Sequence, residues 1–120
     1  MSLAITSRMV SDVVIVDVFG RLRFLEVALD QCINDLLEKG HRNFVLNLSQ
    51  VPYIDSFGLG QLISVWTSIK SKGGHLILLR PTTHVRELLQ ITKLNTVFHI
   101  SGEEAEAVTD VVRMDFAASA

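Results

Sequence analysis

The chain has 120 residues, of which 48% are hydrophobic and 20% charged, with one cysteine and a formal net charge of −2 at pH 7. This composition indicates one folded domain that needs neither disulfides nor a metal to bury a core. The scattered basic residues give no reason to expect nucleic-acid binding. No apolar run reaches the roughly 20 residues that span a bilayer, and the N-terminus lacks a signal-peptide pattern, so we expect a cytoplasmic protein without membrane insertion.

The chain opens with two predicted strands. Residues 5–10 and 13–19 are rich in apolar and β-branched side chains, and Ser11 and Asp12 between them are typical of a tight hairpin turn. The second strand is apolar on both faces, which favours a central strand that is covered on both sides.

Helices and strands alternate in the rest of the chain. Apolar residues recur at helical spacing from residue 25 to near Gly40, and Cys32 falls on that stripe as a small core residue. The remaining predicted elements are strands at 44–48, 75–79 and 97–100 and helices at about 56–72, from Pro81, and from the capping box Ser101-Gly-Glu-Glu104.

This order of elements, ββαβαβαβα, indicates the α/β class. A hairpin pairs its strands antiparallel, whereas helical crossovers favour parallel pairing. We therefore predict one mixed, mostly parallel sheet with an antiparallel opening hairpin and helices packed on it. Residues 1–120 are expected to form a single domain, with a core from about 5 to 113 and a frayed tail at about 115–120.

The segment Val51-Pro-Tyr-Ile-Asp-Ser-Phe-Gly-Leu-Gly60 places Asp55 and Ser56 at the start of a helix, directly after a strand. The first backbone N–H groups of a helix lack intrahelical partners, and its dipole presents partial positive charge there. Ser56 could therefore cap the helix, which is the usual role of a serine in this place, or it could carry a phosphoryl group. The residues alone favour the cap.

The first turns of the same helix are unusual in composition. Gly58 and Gly60 each cost about 1 kcal/mol relative to alanine in a helix. They indicate either close packing against a neighbouring strand or a bare backbone that lets a partner approach Ser56. The apolar stripe of this helix is predicted to consist of Leu59, Leu62, Ile63, Trp66 and Ile69. The opposite face is predicted to be an exposed docking surface, and its residues are Phe57, Gln61, Val65 and Ser68.

The run from Val45 to Gly60 resembles the signature of STAS-domain anti-sigma-factor antagonists. Asp55 matches the aspartate of the family's Asp-Ser-x-Gly-Leu-Gly turn and Ser56 its phosphoacceptor, and Gly58 and Gly60 match the two glycines that follow. The similarity spans about residues 5–108 and includes the order of elements. It implies a STAS-like fold and a partner-binding protein that is not an enzyme.

The same resemblance implies a switching cycle. The unphosphorylated form would bind an anti-sigma factor that is a serine kinase, and would thereby release the sigma factor. Phosphorylation of Ser56 would switch the binding off, and a serine phosphatase would restore it. The residues that would contact the partner are Asp55, Phe57, Gly58, Gly60, Gln61, Val65 and Arg23.

Two positions depart from the family pattern. The chain reads Gly20-Arg-Leu-Arg23 where well-studied members have an acidic residue in place of Arg23. An arginine near Ser56 would attract a phosphate, whereas one pointing into solvent would have little effect. Phe57 replaces a small residue, which could change the choice of partner.

Two other functions stay open. The domain could be a constitutive interaction subunit of a transporter or signalling assembly, with Ser56 only a cap. It could also bind a nucleotide or small ligand at the start of the second helix. The four histidines show no metal-ligand spacing, no cofactor is predicted, and the oligomeric state, monomer or weak dimer, is left open.

Overall fold

The computed structural model of the protein describes residues 3–21 and 28–119. The strands are β1 (Ala4–Val10), β2 (Val13–Phe19), β3 (Asn43–Gln50), β4 (His75–Leu79) and β5 (His99–Ser101). The helices are α1 (Ala28–Glu38), α2 (Ser56–Ser71), α3 (Thr83–Ile91) and α4 (Glu104–Ser119), with a 3₁₀ turn at Leu94–Thr96. The predicted order of elements is confirmed. The residues from Leu25 to Val27, where the first helix was expected to begin, lie outside the described ranges.

The five strands form one sheet in the order β1-β2-β3-β4-β5. β1 and β2 pair antiparallel through a turn at Ser11, and all other neighbours pair parallel. The predicted mixed, mostly parallel sheet with an antiparallel opening hairpin is therefore confirmed. Because β2, β3 and β4 run in the same direction, their carboxyl ends lie at one edge of the sheet, and α2 begins just beyond that edge.

The core lies on both faces of this sheet. Since side chains alternate along a strand, β2 sends Val14 and Val16 to the face covered by α1, α2 and α3, and Val13 and Ile15 to the face covered by α4. Val13 to Val18 are all buried, as predicted for a central strand covered on both sides. Each fully buried aliphatic side chain contributes about 1.5–3 kcal/mol, and this burial fixes the position of β3 and of the segment that follows it.

The second half of the chain differs from prediction at two places. The strand expected at 97–100 begins only at His99, because Val97 belongs to the end of the 3₁₀ turn and is 41% exposed. The chain after Met114 was expected to be frayed, but α4 continues to Ser119. Val111 is buried against the sheet and Met114 packs beside it, which extends the docked helix past the expected end.

Cys32 lies on α1 and is partly buried against the core, in agreement with its predicted place on the apolar stripe. None of the helices within the described ranges is long and apolar enough to cross a membrane.

Candidate functional site

Asp55 is the cap of α2. Its backbone is extended (φ −98°, ψ −175°), and its Oδ1 accepts a hydrogen bond from the Gly58 N–H at 2.8 Å. Its backbone carbonyl accepts from the Leu59 N–H at 2.9 Å, the first hydrogen bond of the helix. The capping role that the residues alone favoured for Ser56 is therefore taken by Asp55.

Ser56 is the first residue of α2 and is exposed to solvent. With the cap provided by Asp55, the Ser56 hydroxyl is not required to begin the helix. It lies at the positive end of the helix dipole, where an attached anion is tolerated or stabilised by about 0.3–1 kcal/mol. The Ser56 hydroxyl therefore belongs to an exposed residue at a helix end that tolerates negative charge.

The segment that leads from β3 to Ser56 is held by side chains at the start of α3. The Thr82 hydroxyl donates to the carbonyl oxygen of Val51 at 2.7 Å. Nε2 of His84 lies 3.2 Å from the carbonyl oxygen of Ile54, and since a carbonyl only accepts, this nitrogen carries the proton. The Ile54 side chain is only 2% exposed, so it anchors the same segment in the core.

Tyr53, in the same segment, lies between two other side chains. Its ring stacks on the His84 ring with 5.1 Å between centroids and an interplanar angle of 27°. The guanidinium carbon of Arg21 lies 5.8 Å from the Tyr53 ring centroid, within the range of a cation–π contact. Residues that follow β2, β3 and β4 thus meet at Tyr53, three positions before Ser56 in the chain.

A cleft of about 430 Å³ opens at the same edge of the sheet. It is bounded by the ends of the three parallel strands, and its lining residues are Phe19, Gly20, Arg21, Ser49, Gln50, Pro52 and Thr82. In open parallel sheets, ligands commonly bind beyond the carboxyl ends of the strands.

A family model described as the STAS domain matches residues 4–107. The chain belongs to the STAS domain family.

Several proteins resemble this STAS domain along most of its length. A protein of Thermotoga maritima named "putative anti-sigma factor antagonist" is 36% identical over 80 residues, which are 67% of this chain and 71% of the relative. A crystal structure of a protein so named from the same organism superposes with a TM-score of 0.81 at 32% identity, covering 89% of this chain and 93% of that one. The anti-sigma-B factor antagonist of Staphylococcus aureus is 28% identical over 79 residues, 65% of this chain and 73% of the relative.

The Bacillus cell fate determinant SpoIIAA, solved in its phosphorylated form, has a TM-score of 0.69 and 24% identity, and the match covers 90% of this chain and 99% of that one. At this identity the likeness shows that the two proteins share a fold.

Only part of the predicted contact surface is exposed in the STAS domain structure. Phe57 is 59% exposed, Gly60 is exposed and Gln61 is half-buried, whereas Gly58 is buried within the first turn. Val65 was expected to face a partner, but it is 1% exposed, and that prediction is wrong. The buried residues of α2 are Gly58, Leu59, Leu62, Val65 and Ile69, so the helix is rotated relative to the expected stripe and Ile63 is 40% exposed.

Arg23, which the sequence placed in the partner-binding set, lies outside the described residues. The nearby Arg21 is described, and it is the basic residue that the structure places against Tyr53.

Sequence reasoning missed the contribution of Thr82, His84 and Tyr53. Thr82 and His84 are 31 and 30 residues away in sequence from the carbonyl groups they contact, so no local pattern reveals these hydrogen bonds. One feature of the sequence could have indicated their place: polar residues such as Thr82 and His84 follow β4 closely, and the ends of parallel strands lie at one edge of the sheet.

A second polar cluster lies on the α4 side of the sheet. Arg8 forms an ion pair with Asp17 at 2.8 Å and a second one with Glu104, while the Asn47 amide donates to Asp17 at 2.7 Å. The hydrogen bond from Arg8 lowers the pKa of the Asp17 carboxyl. This cluster joins β1, β2, β3 and α4, and we interpret it as a set of contacts that stabilises the fold. Within residues 3–21 and 28–119, no group of three or more His, Cys, Asp or Glu side chains could hold a metal ion.

Proposed function

We propose that this STAS domain is an anti-sigma-factor antagonist controlled by phosphorylation of Ser56. The unphosphorylated form binds an anti-sigma factor with serine-kinase activity, and the sigma factor is released. Phosphorylation of Ser56 ends the complex, and a serine phosphatase restores it. The chain acts in the cytoplasm as a substrate and binding partner, without a catalytic role of its own.

The observation that carries this proposal is the division of roles between Asp55 and Ser56. Asp55 satisfies the orphan N–H of Gly58, which leaves the exposed Ser56 hydroxyl at the positive end of α2 without a capping duty. The names of the relatives in Thermotoga and Staphylococcus support a role in anti-sigma-factor antagonism. SpoIIAA, which shares the fold, exists in a phosphorylated form.

Gly60 supports a protein partner at this end of α2. Apart from its chain neighbours and the backbone of its own helix, a Cβ atom added at Gly60 would meet no described atom within 4 Å, so packing inside the domain does not require a glycine there. A glycine inside a helix costs about 1 kcal/mol relative to alanine. An exposed glycine without a packing role suits a surface where the backbone of another protein approaches closely.

Phe57 explains how a phosphoryl group would end the complex. Its ring is 59% exposed and, like Ser56, it lies in the first turn of α2, so we place both residues in the contact with the partner. A phosphoryl group adds about 1.5–2 negative charges. Burying that charge in an apolar contact costs several kcal/mol unless the partner supplies cations, which is enough to dissociate a micromolar complex. The α2 dipole tolerates the charge, so the fold stays intact.

The test compares Ser56→Ala and Ser56→Asp by titration calorimetry against the anti-sigma factor captured from the native cells. The alanine variant should bind like the wild type but accept no phosphate from ATP, and the aspartate variant should bind at least tenfold more weakly. Thr67→Asp is the matched control, because Thr67 is exposed on α2 but lies three turns away. Equal binding by the alanine and aspartate variants would contradict the switch and favour a constitutive interaction subunit.

The cleft beside Arg21 favours a second candidate function, the binding of a nucleotide or another small anionic ligand. A ligand at 100 times its dissociation constant stabilises the folded state by about 2.7 kcal/mol. A thermal-shift series with ATP, GTP and inorganic phosphate would show such binding as a rise in Tm. An unchanged Tm at millimolar concentrations of all three would remove this candidate.

A further inference from the structure

Thr82 uses its hydroxyl in an unusual way. It is the residue that precedes α3, and its carbonyl accepts the first hydrogen bond of that helix, from the Arg86 N–H at 2.8 Å. A threonine in this place normally caps its own helix with its side chain. Within the described structure, Thr82 makes no such cap, and its hydroxyl donates to Val51 at 2.7 Å.

His84 also contacts the phosphoacceptor segment. It lies in the first turn of α3, and its Nε2 donates to the carbonyl of Ile54, two residues before Ser56. The stack of its ring on Tyr53 fixes the orientation of both rings. The side chains of Thr82, just before α3, and of His84, in its first turn, therefore hold the carbonyl groups at the two ends of the segment 51–54.

From this arrangement we infer that Thr82 and His84 are positioning residues for phosphoryl transfer to Ser56. The inference rests on the proposed function and adds to it the part of the chain that sets the acceptor hydroxyl in place.

The chemistry explains why position matters. In the transfer, the Ser56 Oγ forms a bond to the γ-phosphorus of ATP held by the kinase, the bond between that phosphorus and ADP breaks, and the hydroxyl proton passes to a base of the kinase. Attacking oxygen, phosphorus and leaving oxygen must lie roughly in line. A displacement of about 1 Å can reduce the rate by about a hundredfold. The Ile54 carbonyl that His84 holds belongs to the peptide bond with Asp55, the cap of α2, so it constrains the backbone that leads into Ser56.

The variants come in matched pairs. Thr82→Val removes the hydroxyl with little change in size, and Thr82→Ser keeps it. His84→Ala removes both the hydrogen bond and the stack, and His84→Gln keeps an N–H donor. Initial rates of Ser56 phosphorylation are measured for the full chain with ATP and the anti-sigma kinase captured from the native cells. We expect kcat to fall about tenfold for the valine and alanine variants with KM within twofold, and the serine and glutamine variants to recover most of it.

Hydrogen exchange of the chain alone gives a second readout. If α3 holds the segment, the amides of Gly58 and Leu59, whose acceptors belong to Asp55, should exchange several-fold faster in Thr82→Val and His84→Ala. Amides of β3 and β4 should keep their protection, which also shows that these variants are folded. Unchanged exchange at Gly58 and Leu59 in both variants would overturn the structural part of the inference.

The kinetic outcomes separate the two proposals. Wild-type kcat in both the valine and alanine variants would overturn the positioning role while leaving the proposed function intact. Failure of the wild-type chain itself to accept phosphate would overturn the proposed function, and with it the role of these residues in phosphoryl transfer. If KM rises by as large a factor as kcat falls, and the serine and glutamine variants do not recover either value, Thr82 and His84 act in binding or folding instead of in positioning.

Discussion

Gly60→Ala separates the stability of α2 from its use as a contact surface. Gly60 lies in the second turn of the helix, is exposed, and has a backbone that alanine can adopt. An added Cβ would meet no described atom within 4 Å, so no steric cost offsets the higher helix propensity of alanine. The free energy of unfolding should therefore rise by about 0.8–1 kcal/mol, and Tm by about 4 °C for a domain of this size.

The binding surface should respond in the opposite direction. If the partner's backbone approaches the bare face at Gly60, the added methyl group should weaken binding about tenfold even though the free domain is more stable. Urea unfolding measures the first quantity, and titration calorimetry with the anti-sigma factor measures the second.

Gly74→Ala is the control for the structural reasoning. Its Cβ would lie 2.4 Å from the Arg42 carbonyl oxygen and 2.8 Å from the Ile69 side chain, so the backbone must shift and the domain should be destabilised by about 1–3 kcal/mol. Destabilisation by Gly60→Ala, or unchanged affinity in that variant, would refute the reasoning about Gly60.

Three further predictions concern stability. Asp55→Ala should lower the free energy of unfolding by about 1 kcal/mol, whereas Ser56→Ala should change it by less than about 0.5 kcal/mol. If urea unfolding shows that both variants lose the same free energy, the assignment of Asp55 as the cap is contradicted. The hydrogen bond from Arg8 lowers the pKa of the Asp17 carboxyl, so ionised Asp17 stabilises the fold above its ordinary pKa of 3.8, and this stabilisation is lost as the pH falls below that value. In Asp17→Asn, the free energy of unfolding should therefore decrease less steeply below about pH 4. Burial lowers the pKa of His75 from its ordinary 6.5, so His75 takes up a proton in the unfolded chain before it does so in the fold, and the free energy of unfolding should decrease as the pH falls below 6.5. His75→Gln should remove this pH dependence in unfolding curves measured between pH 7 and 5. An unchanged pH dependence in the variant would contradict the prediction.

The order of elements could be predicted from the sequence because each strand and helix has its own periodicity. β2 is the clearest case: seven consecutive residues, apolar but for Asp17, indicated a strand covered on both faces, and Val13 to Val18 are all buried. The rotation of α2 was harder to predict, because apolar residues occur around most of that helix. Ile63 was expected to be buried and Val65 exposed, but the structure shows the reverse. Only packing against the rest of the domain decides which of the two is buried.

The location of the site could be predicted, but its construction could not. The motif around Ser56 identified the start of α2, since a local pattern of residues specifies that turn. Aspartate and serine are both common helix caps, so their order in the sequence does not decide which of them takes this role. The backbone dihedral angles decide it, and they make Asp55 the cap. The contacts of Thr82 and His84 join segments about 30 residues apart, and they follow only from the parallel pairing that brings the ends of β3 and β4 together.

The proposed switch requires that the Ser56 hydroxyl carries a regulatory phosphoryl group in the cell. The most direct test is the intact mass and site-mapped modification of the protein isolated from its native cells, with and without phosphatase treatment. We expect one phosphoryl group, located on Ser56 and removed by the phosphatase, with an occupancy that changes between growth and stress. Absence of phosphate under all conditions, or phosphate at another residue, would contradict it.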